Sequence, residues 1–496
     1  MQSREGNVRV ARRDGSARTV WSAWALILAG CPADGTHREG ETLTAGDAET
    51  DVPATPDGAA ADDTASASDG EADGAQRADA APDASLDVPS DDAAAAVTTP
   101  VLQRAPATPF HACTAVDFPG FTPPGGTFRA EYAETTRGLF LVTEAQSYDA
   151  DAWRYWIAVH PAASDHTFGG SIFASGSVTS AIGALDTVGG DGELALAWQP
   201  WLNTTRMSFA RLAVDGAALV APKELPGTLG ATQRLRLLAL PPPGDGGSRA
   251  AFIVVWLTYA GTGWTPVLMS LALDAAGDPL SEATTLVGPE DVGNGDVHFD
   301  ARPTDDGVLL IWERATDRRE VRLARFDARG HRVGEVTTLS PPGIEGAYPT
   351  LAPRRKGGWL AAWNGWPSIG LAKIDAGGQL EGAAVALGPG PDTGNPAPRT
   401  SGQPVLAPSG DVMALAWAMP DDMPIAGEGN SPLTFVLLEP ETLAPASQVM
   451  TVGYGGDGRL THVRVVADGL RFQTTYGVAF HAGSGHGAVD FECPVR

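Results

Sequence analysis

The chain has 496 residues, with 34 Lys and Arg against 60 Asp and Glu, a formal net charge of −26 and only three cysteines. An excess of acid this large argues against a nucleic-acid partner, which needs a basic face to neutralise phosphates, and against flat adhesion to anionic lipid.

At the N-terminus Arg4, Arg9, Arg12, Arg13 and Arg18 form a basic region. Val20 to Leu28 is an apolar segment too short to span a bilayer, and Leu28-Ala29-Gly30-Cys31 follows directly. Basic region, apolar core and Leu-Ala-Gly-Cys together resemble the lipobox of bacterial lipoproteins. The resemblance covers about thirty residues and implies that residues 1–30 are a signal peptide. It also implies that Cys31 is the lipidated first residue of the mature chain, located in the cell envelope. Pro32 in place of an aspartate after the cysteine favours the outer membrane in that family, facing either the periplasm or the surface. From Pro32 to Thr108 there is no aromatic residue, and residues 31–108 carry 17 acids against 3 bases, a net of −14. Such a segment cannot bury enough apolar surface to offset its ordering entropy, so an acidic, disordered tether is expected over 31–108.

From residue 109 onward a repeat dominates. Tryptophans recur at Trp198, Trp256, Trp312, Trp363 and Trp417, at intervals of 58, 56, 51 and 54, each closing a short apolar run. A second run follows each one and ends in an acid: Asp215, Asp274, Asp327, Asp375 and Glu439. After the first four acids come Gly216, Gly277, Gly330 and Gly378, which read as tight turns into another strand. Weaker copies, with Thr143 and Thr474 at the tryptophan position, extend the count to seven. Four short strands per unit of about 55 residues predict an all-β fold, a single β-propeller of seven four-stranded blades over 109–496. Six blades with an added terminal segment is the alternative.

The last unit lacks a fourth strand before the chain stops at Arg496. His111 to Phe118 echoes it, with Ala115-Val116-Asp117-Phe118 set against Ala488-Val489-Asp490-Phe491. The N-terminal segment is therefore expected to complete the terminal blade. Cys113 and Cys493 lie in these two stretches, and an oxidising compartment predicts a disulfide between them.

Function is less legible. The loops that follow the repeat tryptophans contain Trp153, Trp201, Tyr259 with Trp264, and Trp366, and the fourth offers Arg314, Arg318 and Arg319. Aromatics beside arginines on one face suit a sugar ring or a peptide, although bulky side chains also serve as packing over blade ends. The histidines are scattered, Asp305-Asp306 reads as a turn, and no nucleophile elbow or phosphate-cradling loop is found. No catalytic residue, cofactor or metal site is assigned. The expectation is a monomeric, lipid-anchored module that binds or scaffolds a protein, peptide or glycan, touching the membrane only through its lipid. A polysaccharide-active enzyme of hydrolase or lyase type is the alternative. The anchor has a direct test: Cys31→Ser should abolish palmitate labelling and release the chain from membrane fractions, and unchanged labelling would remove the lipoprotein reading.

Overall fold

The computed structural model describes residues 110–117, 130–149, 152–163, 167–200, 206–228, 234–242, 250–260, 265–294, 297–342, 345–365, 368–387, 404–418, 433–452, 459–480 and 483–495. Residues 1–109, where the sequence leads one to expect a signal peptide, the lipidated Cys31 and a tether, lie outside the described residues. Among the described residues the strands group into seven antiparallel sheets, with one short helix, Pro289–Val292.

Six sheets are built from consecutive strands, and the seventh pairs Thr114–Asp117 with the last three strands of the described chain. The innermost strands of blades 1 to 7 are Ala130–Thr135, Ile182–Gly189, Leu235–Ala239, Phe299–Pro303, Gly346–Pro353, Val405–Ser409 and Arg459–Asp468. Blade 7 continues with Arg471–Phe480 and Gly483–Glu492 and takes its outer strand, Thr114–Asp117, from the N-terminal side of the chain. The register of that closure sets Ala115 against Phe491 and Asp117 against Val489, and Cys113 is bridged to Cys493. Both closure expectations hold, and the count is seven blades.

The repeated acids act as the turn chemistry requires. Asp327 Oδ1 accepts the backbone N–H groups of Arg329 and His331, at 2.9 and 2.8 Å, and Asp375 Oδ1 accepts that of Gln379 at 2.7 Å. Burial works against ionisation of Asp327, but these bonds outweigh it and hold the carboxyl below its usual range. Gly216 must be glycine: its φ is +89°, and a Cβ there would lie 2.1 Å from the Ile172 carbonyl oxygen.

Each repeat tryptophan packs against the blade before its own. Trp198 joins the apolar cluster shared by blades 1 and 2, Trp256 that of blades 2 and 3, and Trp312 that of blades 3 and 4. Trp363 and Trp417 do the same at the next two interfaces. Between blades 6 and 7, where Thr474 stands for tryptophan, Phe435, Phe472 and Phe491 fill the space, with Phe435 and Phe491 stacked at 4.0 Å. Large rings suit this task because wedge-shaped gaps between sheets need volume that a strand backbone cannot supply.

The disulfide closes a loop spanning 380 residues in sequence. Changing both Cys113 and Cys493 to Ser should lower the unfolding free energy by up to about 4–6 kcal/mol, the chain-entropy value for a loop of this length. Removing residues 32–108 should leave stability unchanged, whereas extending that deletion through Val116 should cost several kcal/mol, because the outer strand of blade 7 goes with it. Urea unfolding monitored by tryptophan fluorescence would check all three.

Candidate functional site: the axial channel and the blade 1 hairpin

The seven innermost strands surround one cavity of about 390 Å³, lined along its length from Asp186, Arg236 and Asp300 to Glu134, Pro303, Pro353 and Pro408. Inner strands of neighbouring blades touch around the whole ring, including blades 7 and 1. One position recurs in these strands, the residue paired with or near the residue preceding the repeat tryptophan. It is Glu131 in blade 1, Asp186 in blade 2, Arg236 in blade 3, Asp300 in blade 4, Thr350 in blade 5 and Arg464 in blade 7.

This ring is cross-linked from blade to blade. Arg464 of blade 7 donates from Nε and Nη2 to the two carboxylate oxygens of Glu131 of blade 1, both at 2.5 Å. Arg236 Nε donates to Asp300 Oδ1 at 2.7 Å, linking blades 3 and 4. Asp300 Oδ2 accepts the Leu351 N–H at 2.9 Å and the Thr350 hydroxyl at 3.2 Å, linking blades 4 and 5. Asp300 is fully buried. Burial alone would raise its pKa, but Arg302, Arg236 and the Leu351 N–H outweigh it and hold the carboxyl below its usual range. Asp186 is the exception. Its Oδ2 accepts the Leu237 N–H at 2.7 Å, yet burial pushes its pKa up to about 6 against the pull of Arg236, with Glu131 adding to the rise.

Another buried carboxylate lies at the tryptophan end of blade 4. Glu313 Oε1 is 2.8 Å from Arg319 and Oε2 is 3.4 Å from His298. The Tyr348 N–H, at a residue with φ +53°, donates to Glu313 Oε2 at 3.4 Å, and the Tyr348 ring lies 3.9 Å from that of His298. Glu144 has the same place in blade 1 and accepts the Ile182 N–H of blade 2 at 2.8 Å. Both acids therefore clamp one blade to the start of the next. A wider cavity of about 750 Å³ lies beside Asp305, Asp306, Asp327 and His331. Its acids are engaged locally: Asp306 Oδ1 accepts from Arg325 at 2.8 Å and from the Thr304 hydroxyl at 3.1 Å, which supports the turn reading of that acidic pair.

The sequence-predicted ligand residues are not gathered into one site. Trp201, Trp264 and Trp366 lie outside the described residues. Trp153, Tyr259 and Arg314 stand on blades 1, 3 and 4, and all three are on strands rather than loops: Ala152–Ala162, Phe252–Ala260 and Gly307–Ala315. The hairpins remain paired well past the tryptophan position, which leaves little loop. Arg314 is engaged by Glu320 at 3.5 Å. Trp153 is 48 % exposed beside Tyr148, which is 61 % exposed. Their rings meet edge-on at 5.4 Å, and Tyr155 follows Trp153 at 6.5 Å. That hairpin is paired to its tip, Asp149 against Ala152. No group of three or more His, Cys, Asp or Glu arranged to hold a metal occurs among the described residues.

No protein-family model and no curated protein matches the sequence. Among solved structures, the chain is similar to the subtype N11 neuraminidase-like protein of A/flat-faced bat/Peru/033/2010 (H18N11), at 12 % identity and a TM-score of 0.38, covering 80 % of this chain and 97 % of that one. It is similar to the Dos1 propeller at 10 % identity and a TM-score of 0.39, covering 77 % and 95 %. An endo-arabinase from Bacteroides thetaiotaomicron VPI-5482 aligns at 10 % identity and a TM-score of 0.32, covering 60 % and 88 %. Similarities at this level say nothing of ligand or chemistry.

The raised pKa of Asp186 makes a prediction with a definite sign. The folded chain holds that proton up to about pH 6, whereas the unfolded chain releases it near 3.8. The acid therefore costs the fold stability as pH rises through that window. Asp186→Asn, which keeps an oxygen for the Leu237 N–H, should be more stable than the parent at pH 7.5 by about 1–3 kcal/mol. The advantage should vanish near pH 4, as denaturant unfolding at the two pH values would show.

Proposed function

We propose that this chain is a lipid-anchored cell-envelope protein whose β-propeller binds a ligand through the projecting hairpin of blade 1, with a glycan as the ligand. The observation that carries this reading is the row of Tyr148, Trp153 and Tyr155, two of them widely exposed on a hairpin paired to its tip. Leaving large aromatic surface in water forgoes the stabilisation of burial, of order 25 cal/mol per Å². Aromatic side chains with few rotatable bonds also lose little entropy on contact, which is why they dominate binding hot spots. A planar ring is suited to the apolar face of a pyranose, and a backbone-paired hairpin holds it in place without a mobile loop. Lipidation at Cys31 places the module in the envelope, and the acidic segment 31–108 serves as its spacer.

The rival reading, a polysaccharide-active enzyme, has one observation in its favour. The channel gathers Glu131, Asp186 and Asp300, and Asp186 holds its proton to about pH 6, a property of general acids. Glu131 and Asp300 are both bound by arginines, however. A glycan array probed with the full chain and with the Trp153→Ala and Tyr148→Ala variants separates the two. Binding should fall at least tenfold in each variant, the loss expected of a hot-spot aromatic. Binding unchanged by both substitutions would overturn the hairpin reading, and product release that is lost in Asp186→Asn would favour the enzyme.

A further inference from the structure

The charge ring of the channel has one vacancy in its pairing. In order around the axis stand Arg464, Glu131, Asp186, Arg236 and Asp300, so two acids sit side by side between two bases. Each base already serves one acid: Arg464 is bidentate to Glu131, and Arg236 donates to Asp300. Asp186 is left with the Leu237 N–H on Oδ2 at 2.7 Å. Among the described residues no cation lies within ion-pair distance of it and no donor reaches Oδ1, although Asp186 is only 9 % exposed and lines the cavity. A buried carboxylate in that position is expensive unless a positive charge or a proton joins it.

The surroundings restrict what that charge can be. A divalent metal needs six or more oxygen ligands or a full set of side-chain donors, and no such set converges among the described residues. A guanidinium would bring a broad, flat cation between two arginines. An ammonium group is a compact point charge with three donors, which matches one open carboxylate oxygen beside a second carboxylate. The walls also carry apolar side chains, with Val188, Ala239, Val405 and Val466 lining the same cavity of about 390 Å³.

We propose that the axial channel is a binding site for a primary ammonium group carried on a short apolar body, with Asp186 as its counter-ion. Glu131 adds attraction, Arg236 and Arg464 limit the cation to a small one, Asp300 and Arg302 are already paired with each other, and Glu134 lies at the cavity's outer end. The site stands on different residues from the blade 1 hairpin, so the two readings fail independently. A free aliphatic amine and the amino terminus of a peptide offer the same chemistry.

The test is calorimetric titration of the full chain at pH 8 with n-butylamine, with alanyl-alanine amide, with its N-acetylated form, and with potassium chloride. Saturable binding of butylamine, of the free dipeptide amide or of both, with none of the acetylated form, is expected; which of the two binds identifies the source. Affinity should drop about tenfold per pH unit once Asp186 takes its own proton, below about pH 6. Asp186→Asn should lose the response while keeping the circular dichroism of the parent. Absence of saturable binding by either amine, an equal response to potassium, or an unaltered response in Asp186→Asn would each overturn the proposal. The pH profile of the parent alone supplies a second check that does not depend on the variant.

Discussion

A ring of seven sheets has to fill seven wedge-shaped interfaces, and the rest of this structure depends on how they are filled. Between blades 1 and 6 each gap is closed by a tryptophan from the following blade, and between blades 6 and 7 by three phenylalanines. Blade 1 offers Thr143 at the corresponding position, and it is fully buried. The interface it faces, between blades 7 and 1, is polar instead: Arg464 grips Glu131, while half-buried Tyr132 encloses its hydroxyl near Thr475 and Asp490, with the hydroxyl pKa driven upward, mainly by burial. Where the chain's two ends meet, a doubly bonded ion pair in a low-dielectric setting takes over the task that apolar volume performs elsewhere.

The covalent staple acts on a different gap. Cys113–Cys493 joins the borrowed outer strand to blade 7 itself. The same segment also reaches blade 6, since the His111 N–H donates to the Ala446 carbonyl at 2.7 Å and Gln448 Nε2 to the Cys113 carbonyl at 2.7 Å. Blade 7 is thus tied to blade 6 by the segment from His111 to Cys113 and by the phenylalanines, whereas blades 7 and 1 meet through the Arg464–Glu131 pair. The charge ring in the channel thus ties blades together, and Asp186 is its acid held by a backbone N–H rather than by an ion pair.

Much of the fold was legible because its signals are local. A tryptophan ending an apolar run, an acid before a glycine, and a terminal echo around Cys113 and Cys493 each report a turn or strand within a few residues. The inner strand of blade 2, Ile182–Gly189, has a weaker local signal, because Asp186 and Thr187 interrupt its apolar pattern. That interruption is the channel ring itself. Glu131, Arg236, Asp300 and Arg464 sit in the corresponding strand of their units, so a charged residue in the inner strands of blades 1, 2, 3, 4 and 7 is a signal that aligned units carry. Which of these charges pair depends on blade order around the axis, and no local spacing encodes that. The repeat tryptophan reads as the end of its strand, which puts Trp153, Tyr259 and Arg314 in loops, whereas strand pairing carries on past it.

How far pairing carries on differs among blades, and the difference bears on where a ligand would be met. In blades 1 and 7 the second strand stays paired for six residues beyond the tryptophan position, to Asp149 and Phe480. In the other blades the described pairing reaches no more than four residues beyond it. Six residues of strand add about 20 Å, enough to raise a hairpin clear of a blade end. The two extended hairpins belong to the two blades that meet at the polar interface. Exposed aromatics on such an extension need no support from the ring beneath them, because the cross-strand pairs Tyr148 with Trp153 and Gln146 with Tyr155 fix the hairpin from within. Packing and exposure are thereby divided within blade 1: its inner strand gives Glu131 to the channel ring and Thr143 is buried in the next strand, while the projecting hairpin presents Tyr148 and Trp153 to solvent.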